Sequence, residues 1–162
     1  MKTITDTFIA QLENNSPDSG DRTKATYRLN LPNQRITGYN KITMYCDAFN
    51  ADMYNLDVNT ILVQARGIYQ KNSISSITKG SCITIAQCSR PLYRNASNQL
   101  IEKLDNVEFY GPNSPIEITG IPTEITVSLT NISGALELNL ETNDNHYHLK
   151  LRFVCEYESH TC

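Results

Sequence analysis

Apolar and polar residues alternate with a period of two along much of this chain, the spacing of a half-buried β-strand. The alternation is cleanest from Thr123 to Tyr157, which reads as three strands separated by two turn signals. Ile125, Val127 and Leu129 alternate with Thr126, Ser128 and Thr130, and Asn131-Ile132-Ser133-Gly134 then offers a loop with Gly134 at positive φ. This predicts a hairpin, continued by Leu136, Leu138 and Leu140 up to the turn-forming Thr142-Asn143-Asp144-Asn145. In the closing strand Tyr147, Leu149, Leu151, Phe153, Cys155 and Tyr157 face inward, and His146, His148, Lys150, Arg152 and Glu156 face out. A slip of one residue would bury those charged and imidazole groups, so the register is strongly specified.

Upstream the same period recurs in shorter runs. Ala25, Tyr27, Leu29 and Leu31 oppose Lys24, Thr26, Arg28 and Asn30 until Pro32-Asn33 breaks the strand. Ile42, Met44 and Cys46 face one way, and Tyr45 on the other side hints at burial on both faces. Thr60 to Arg66 carries the continuous apolar run Ile61-Leu62-Val63 expected of a central strand. In Ser81 to Gln87, Ile83 and Ile85 oppose Cys82, Thr84 and Ala86; between these two strands, Tyr69 to Gly80 reads as an exposed loop. Short strands are expected at Val107 to Tyr110 and at Ile116-Glu117-Ile118, the latter bracketed by Pro115 and Pro122.

No long run has helical periodicity. Eight or nine strands without crossover helices predict an all-β chain, an antiparallel two-sheet sandwich of jelly-roll type. Residues 1–21 are expected as a flexible N-terminal arm: a strand candidate at Thr3 to Gln11, then the polar, turn-rich stretch Asn14 to Asp21. Residues 22–157 form the single sandwich domain and 158–162 a C-terminal tail. A chain of 162 residues suits one hydrophobic core.

Charge and cysteine usage narrow the function classes. The net charge is -3 and the 14 Lys and Arg are scattered, so no basic stripe awaits a phosphate backbone and nucleic-acid binding is not expected. No stretch approaches the eighteen or so apolar residues of a membrane span, and Met1 to Ala10 lacks the apolar run of a signal peptide. Synthesis and folding in the cytosol are therefore expected. Thiols are then the expected state of Cys46, Cys82, Cys88, Cys155 and Cys162, and the sequons at Asn14, Asn95 and Asn131 are expected to carry no glycan.

Candidate chemistry is sparse. His146 and His148 project from one face of a strand, as a metal pair requires, with Asp144, Glu156 and His160 as conceivable further ligands; the polar face of an amphipathic strand accounts for them more simply. There is no Gly-x-Ser-x-Gly elbow, no Cys and His signature and no Gly-rich phosphate loop, so no catalytic, cofactor-binding or metal residues are assigned. Nine tyrosines, five of them (Tyr39, Tyr54, Tyr69, Tyr93 and Tyr110) in turns or at strand ends, suit partly wet contact surfaces.

Three segments carry a family resemblance: Ile125-Thr-Val-Ser-Leu-Thr-Asn-Ile-Ser-Gly134, Leu136-Glu-Leu138, and His146-Tyr-His-Leu-Lys-Leu-Arg-Phe153. They are similar to the C-terminal half of small β-sandwich minor capsid proteins of large and mid-sized icosahedral DNA viruses of eukaryotes, including the virophage and polinton-like groups. Leu62-Val-Gln-Ala-Arg-Gly67-Ile68 resembles the central strand and Gly turn of that family, and Ser81 to Ala86 the strand after it. The similarity runs over Arg22 to Tyr157; Asn131 stands where the family often has Asp-x-x-Gly.

The resemblance implies a structural protein of the virion capsid, made in the host cytoplasm. It would bond neighbouring capsomers through edge strands and extended termini, with the major capsid protein and other minor capsid proteins as partners and a homo-oligomer in the shell. The alternatives are a carbohydrate- or ligand-binding β-sandwich and a metal-dependent jelly-roll enzyme using His146 and His148.

Overall fold

In the computed structural model the described residues are 2–30, 38–54, 60–71, 82–89, 97, 103–104, 115–133, 137–141 and 145–159. They form ten strands: β1 (Lys2–Glu13), β2 (Ser19–Gly20), β3 (Lys24–Arg28), β4 (Lys41–Tyr54), β5 (Thr60–Arg66), β6 (Cys82–Ser89), β7 (Lys103–Leu104), β8 (Ile116–Ile118), β9 (Glu124–Thr130) and β10 (His146–Ser159). All pairings are antiparallel. One sheet runs β1-β10-β4, with β7 and β8 both on the far side of β4; the other runs β2-β3-β9-β5-β6. The expected all-β, two-sheet sandwich is the fold. The expected strand at Val107 to Tyr110 lies outside the described residues.

The core fills the space between the sheets as the alternation requires. From the first sheet come Phe8, Ala10 and Leu12 of β1, Met44 and Phe49 of β4, and Tyr147, Leu149, Leu151, Phe153 and Cys155 of β10. Ala25, Tyr27, Ile61, Val63, Ala65, Ile125, Val127 and Leu129 answer from the second. β10 keeps the expected inward set from Tyr147 to Cys155; Tyr157, near its end, is only half-buried. Gly67 ends β5 at φ 89, and a Cβ there would lie 2.5 Å from the Glu124 carbonyl oxygen, so only glycine fits.

The flexible arm expected over residues 1–21 is corrected. β1 pairs with β10 at every position from Lys2↔Ser159 to Glu13↔His148, and its Phe8, Ala10 and Leu12 enter the core. The reason is β10 itself: without β1, a fourteen-residue strand whose inward side carries Tyr147, Leu149, Leu151 and Phe153 would have an open edge. The tail boundary moves as well, since Glu158 and Ser159 belong to β10.

Two bulges correct strand details. On β4, Cys46 faces Leu151 and Ala48 faces Lys150, leaving Asp47 as an extra residue. Inward parity therefore switches from Ile42, Met44 and Cys46 to Phe49 and Ala51, and the strand continues to Tyr54, well past the expected end. On β6, Ala86 faces Val63 and Thr84 faces Gln64, so Ile85 is the extra residue, and Ile85 and Ala86, which strict alternation sets on opposite faces, are both in the core. The return after β9 is likewise only partly a hairpin. Thr130 and Glu137 form one bridge and Leu138 N donates to Leu129 O, after which Leu140 N bonds the Thr23 hydroxyl.

Inside the sandwich, the Tyr27 and Tyr147 hydroxyls meet at 3.1 Å from opposite sheets. Burial pushes the Tyr27 phenol up to about 12, and it pushes Tyr147 upward as well. Unfolded tyrosines ionise near 10, so the pair contributes stability that is intact below about pH 10 and is lost as pH rises through the folded values. The Tyr27→Phe/Tyr147→Phe double variant is expected to lose less melting temperature between pH 10 and 11.5 than the parent does. An equal loss in both would refute this linkage.

Candidate interaction surface

His146 and His148 lie half-buried on the outer face of β10, facing Asp52 and Asn50 of β4; His148 also faces Glu13 of β1. Glu156 is eight residues further along the strand, roughly 26 Å away at the rise of an extended chain. Asp144 and His160 lie outside the described residues. Among the described residues no group of three His, Cys, Asp or Glu is placed to hold a metal ion.

The thiols are placed as packing groups. Cys46 and Cys155 are buried and Cys82 is half-buried, all three as thiols outside any disulfide. Burial, and secondarily the charge of Asp6, pushes the Cys155 thiol up to about 11, and burial also raises Cys82. Cys155 points into the core, on the side of β10 opposite the histidines. Of the sequons, Asn14 is wholly buried, whereas Asn131 lies at the turn after β9, with the Ser133 hydroxyl donating to its Oδ1 at 2.8 Å.

The outer face of the first sheet is a mixed surface with an apolar centre. Cross-strand register places Thr7, Val154 and Thr43 in one row, Ile9, Arg152 and Tyr45 in the next, and Gln11, Lys150 and Ala48 in the third. Ile9 is 52% exposed. The Arg152 guanidinium sits 4.2 Å above the Tyr45 ring centre and donates to both Asp47 carboxylate oxygens, at 2.9 and 3.2 Å. The Asp47 hydrogen bonds hold its charge firmly in place by raising its pKa further. The bulge thus carries the carboxylate that orients this arginine, and Tyr45 is half-buried beneath it. Arg and Tyr at the middle of a patch, with charges at the rim, are the residue types that dominate protein contacts.

One border of this face is the free edge of β1. Asn14 N donates to Tyr147 O, and Tyr147 N donates back to Asn14 Oδ1, so this position is of the hydrogen-bonding kind. Antiparallel pairing alternates, so the even residues of β1 direct their amides and carbonyls toward β10. Thr3, Thr5, Thr7, Ile9, Gln11 and Glu13 therefore direct theirs away from β10, where no described strand pairs with them. The other sheet borders are guarded: β2, β7 and β8 are two or three residues long and β6 is bulged at Ile85. β1 runs twelve residues without bulge or proline.

A shallow cleft of about 400 Å³ lies between β1 and β3, lined by Gln11, Leu12, Glu13, Ser16, Asp18, Tyr27 and Arg28. Asp18 is already engaged, accepting from Arg28 N at 2.6 Å, and the Tyr27 ring is buried with its hydroxyl turned to Tyr147. A sugar ring would meet no exposed aromatic face there. Of the tyrosines expected in turns, Tyr69 is 62% exposed, while Tyr39 packs edge-on against Tyr157 with its hydroxyl donating to Asp6. No protein-family model matches this chain, and no curated protein or solved structure matches it either.

Proposed function

We propose that this protein acts by surface recognition, as a structural assembly component of the minor-capsid kind that its sequence resembles. On this reading it cements neighbouring capsomers of a virion shell, with the major capsid protein and other minor capsid proteins as its partners. The observation that carries the reading is the free edge of β1: a long, regular, unguarded strand is a template onto which another chain adds as a further strand. The adjoining patch of Ile9, Tyr45, Arg152 and Val154 supplies side-chain contacts beside that backbone ladder.

The winding supports the same reading. Counting the eight strands of three residues or more in chain order, one sheet reads 1-8-3-6 and the other 2-7-4-5. Successive strands thus alternate between the sheets except at the fourth and fifth, which pair with each other, the winding of a jelly roll, the fold of many viral shell proteins.

Thr7→Pro tests the role of the edge. Its lost N–H is one directed away from β10, so the internal ladder stays whole. The parent is expected to copurify in fixed copy number with a large jelly-roll capsid protein when the two are coexpressed. Thr7→Pro is expected to lose that association while melting within about 5 °C of the parent, whereas Phe8→Pro destabilises the fold. Undiminished copurification of Thr7→Pro would exclude the edge as the binding element.

A further inference from the structure

We infer that a second copy of this chain occupies the β1 edge, by antiparallel pairing about a two-fold axis at Phe8. This rests on the reading of β1 as an open edge and names its occupant: the chain that adds to the strand is a second copy, and the capsid association that Thr7→Pro removes is then a property of the dimer. Only the odd residues of β1 offer outward backbone groups, so a facing copy must also present odd residues, and the two numbers in each facing pair sum to an even value. The sum of 16 uses the whole strand: Thr3 faces the second copy's Glu13, Thr5 its Gln11 and Thr7 its Ile9, and symmetry repeats all three. Six facing pairs at two hydrogen bonds each give twelve. A sum of 14 or 18 gives five such pairs, and a sum of 12 sets Asp6 against its own copy.

Side chains agree with that register. On the outer face each Ile9 lies opposite Thr7 and diagonal to the second copy's Ile9, which covers the one large apolar side chain that β1 exposes. On the inner face Phe8 meets its own copy, and Ile4 meets Leu12. Charges also match across the junction. β10 is basic at His148, Lys150 and Arg152 and acidic at Glu156 and Glu158. The register Gln11↔Lys150 and Thr5↔Glu156 within each copy carries Lys150 into the same row as the second copy's Glu156, and His148 into that of its Glu158. The two β10 strands are then about 14 Å apart, three strand spacings, so Lys150 reaches over Gln11 and Thr5, and Glu156 meets it by turning from Lys41 of β4, whose ammonium lies 3.9 Å away in the single copy. The product is one continuous sheet of ten strands, five from each copy.

The experiment is disulfide trapping combined with sedimentation. Under mild oxidation Thr5→Cys/Gln11→Cys is expected to form a covalent dimer in high yield, because facing positions have Cα atoms within disulfide range. Thr5→Cys/Ile9→Cys, which would fit the sum of 14, and the parent with its own cysteines are expected to give little. In sedimentation the unmodified chain is expected as a dimer, and Thr7→Pro as a monomer. Lys150→Glu is expected to weaken the dimer about tenfold, with Lys150→Glu/Glu156→Lys restoring most of the loss. A chain that stays monomeric, a dimer untouched by Thr7→Pro, or trapping in the other register overturns the inference. A monomer whose capsid association still requires an intact Thr7 would overturn only this inference and leave the edge reading standing; a chain with neither association would remove both.

Discussion

Deletion of residues 1–13 is expected to abolish cooperative folding. Phe8, Ala10 and Leu12 are less than a tenth exposed, and burying a side chain of the Phe or Leu class contributes about 1.5–3 kcal/mol. Two such residues are a large share of the roughly 5–15 kcal/mol that holds a domain together. The deletion also strips the ladder from β10, whose inward residues Tyr147, Leu149, Leu151 and Phe153 form the centre of the core. Far-UV circular dichroism through a thermal ramp should show no sharp transition for the truncated chain. A melting temperature within a few degrees of the parent's would show that β1 is dispensable.

Asn14→Ala is expected to lower stability by about 2–4 kcal/mol, a large effect for one polar side chain. Asn14 is fully buried where β1 ends. Its Nδ2 donates to the carbonyls of Asn145, at 3.2 Å, and Arg22, at 3.3 Å, while its Oδ1 accepts from Tyr147 N at 2.8 Å. One amide thus fastens the exit of β1, the entry of β10 and the segment before β3, and alanine leaves those backbone groups unpaired inside the protein. Asn14→Asp should be at least as harmful, since a carboxylate turns an acceptor toward the two carbonyls that the amide served. Urea midpoints of the two variants check this, and a loss under about 1 kcal/mol would mean that water replaces the amide. The same burial leaves this sequon without a side chain free to modify in the folded protein.

The legible parts of the fold were those where a strand has one wet face. Ile125, Val127 and Leu129, the inward set of β10, and the run Ile61 to Val63 in an interior strand of the second sheet all lie where their spacing put them. Proline brackets likewise located β8. Local pattern failed where the backbone leaves strict alternation. The spacing of three between Cys46 and Phe49 was the trace of the Asp47 bulge, but an apolar step of three is equally a strand end. The polar stretch from Asn14 made residues 1–21 look detached, because a side chain that caps two distant backbone segments has the same composition signature as a solvated turn.

The candidate surface was less legible than the fold. Its members, Ile9, Tyr45, Asp47, Arg152 and Val154, are scattered across three strands and share no motif. An open edge is also a property of neighbours, and a strand's own residues do not state which side of it is paired.

From its residues alone this chain is all-β, with fixed inward faces on its main strands, because burial of alternate side chains is a local consequence of strand geometry. Tertiary structure alone decided that the first strand closes onto the last, that Asp47 steers Arg152 over Tyr45, and which border of the sandwich stays open. Those depend on pairings between residues more than a hundred positions apart, where the favourable energy lies in shape and hydrogen bonding that no short window of sequence encodes.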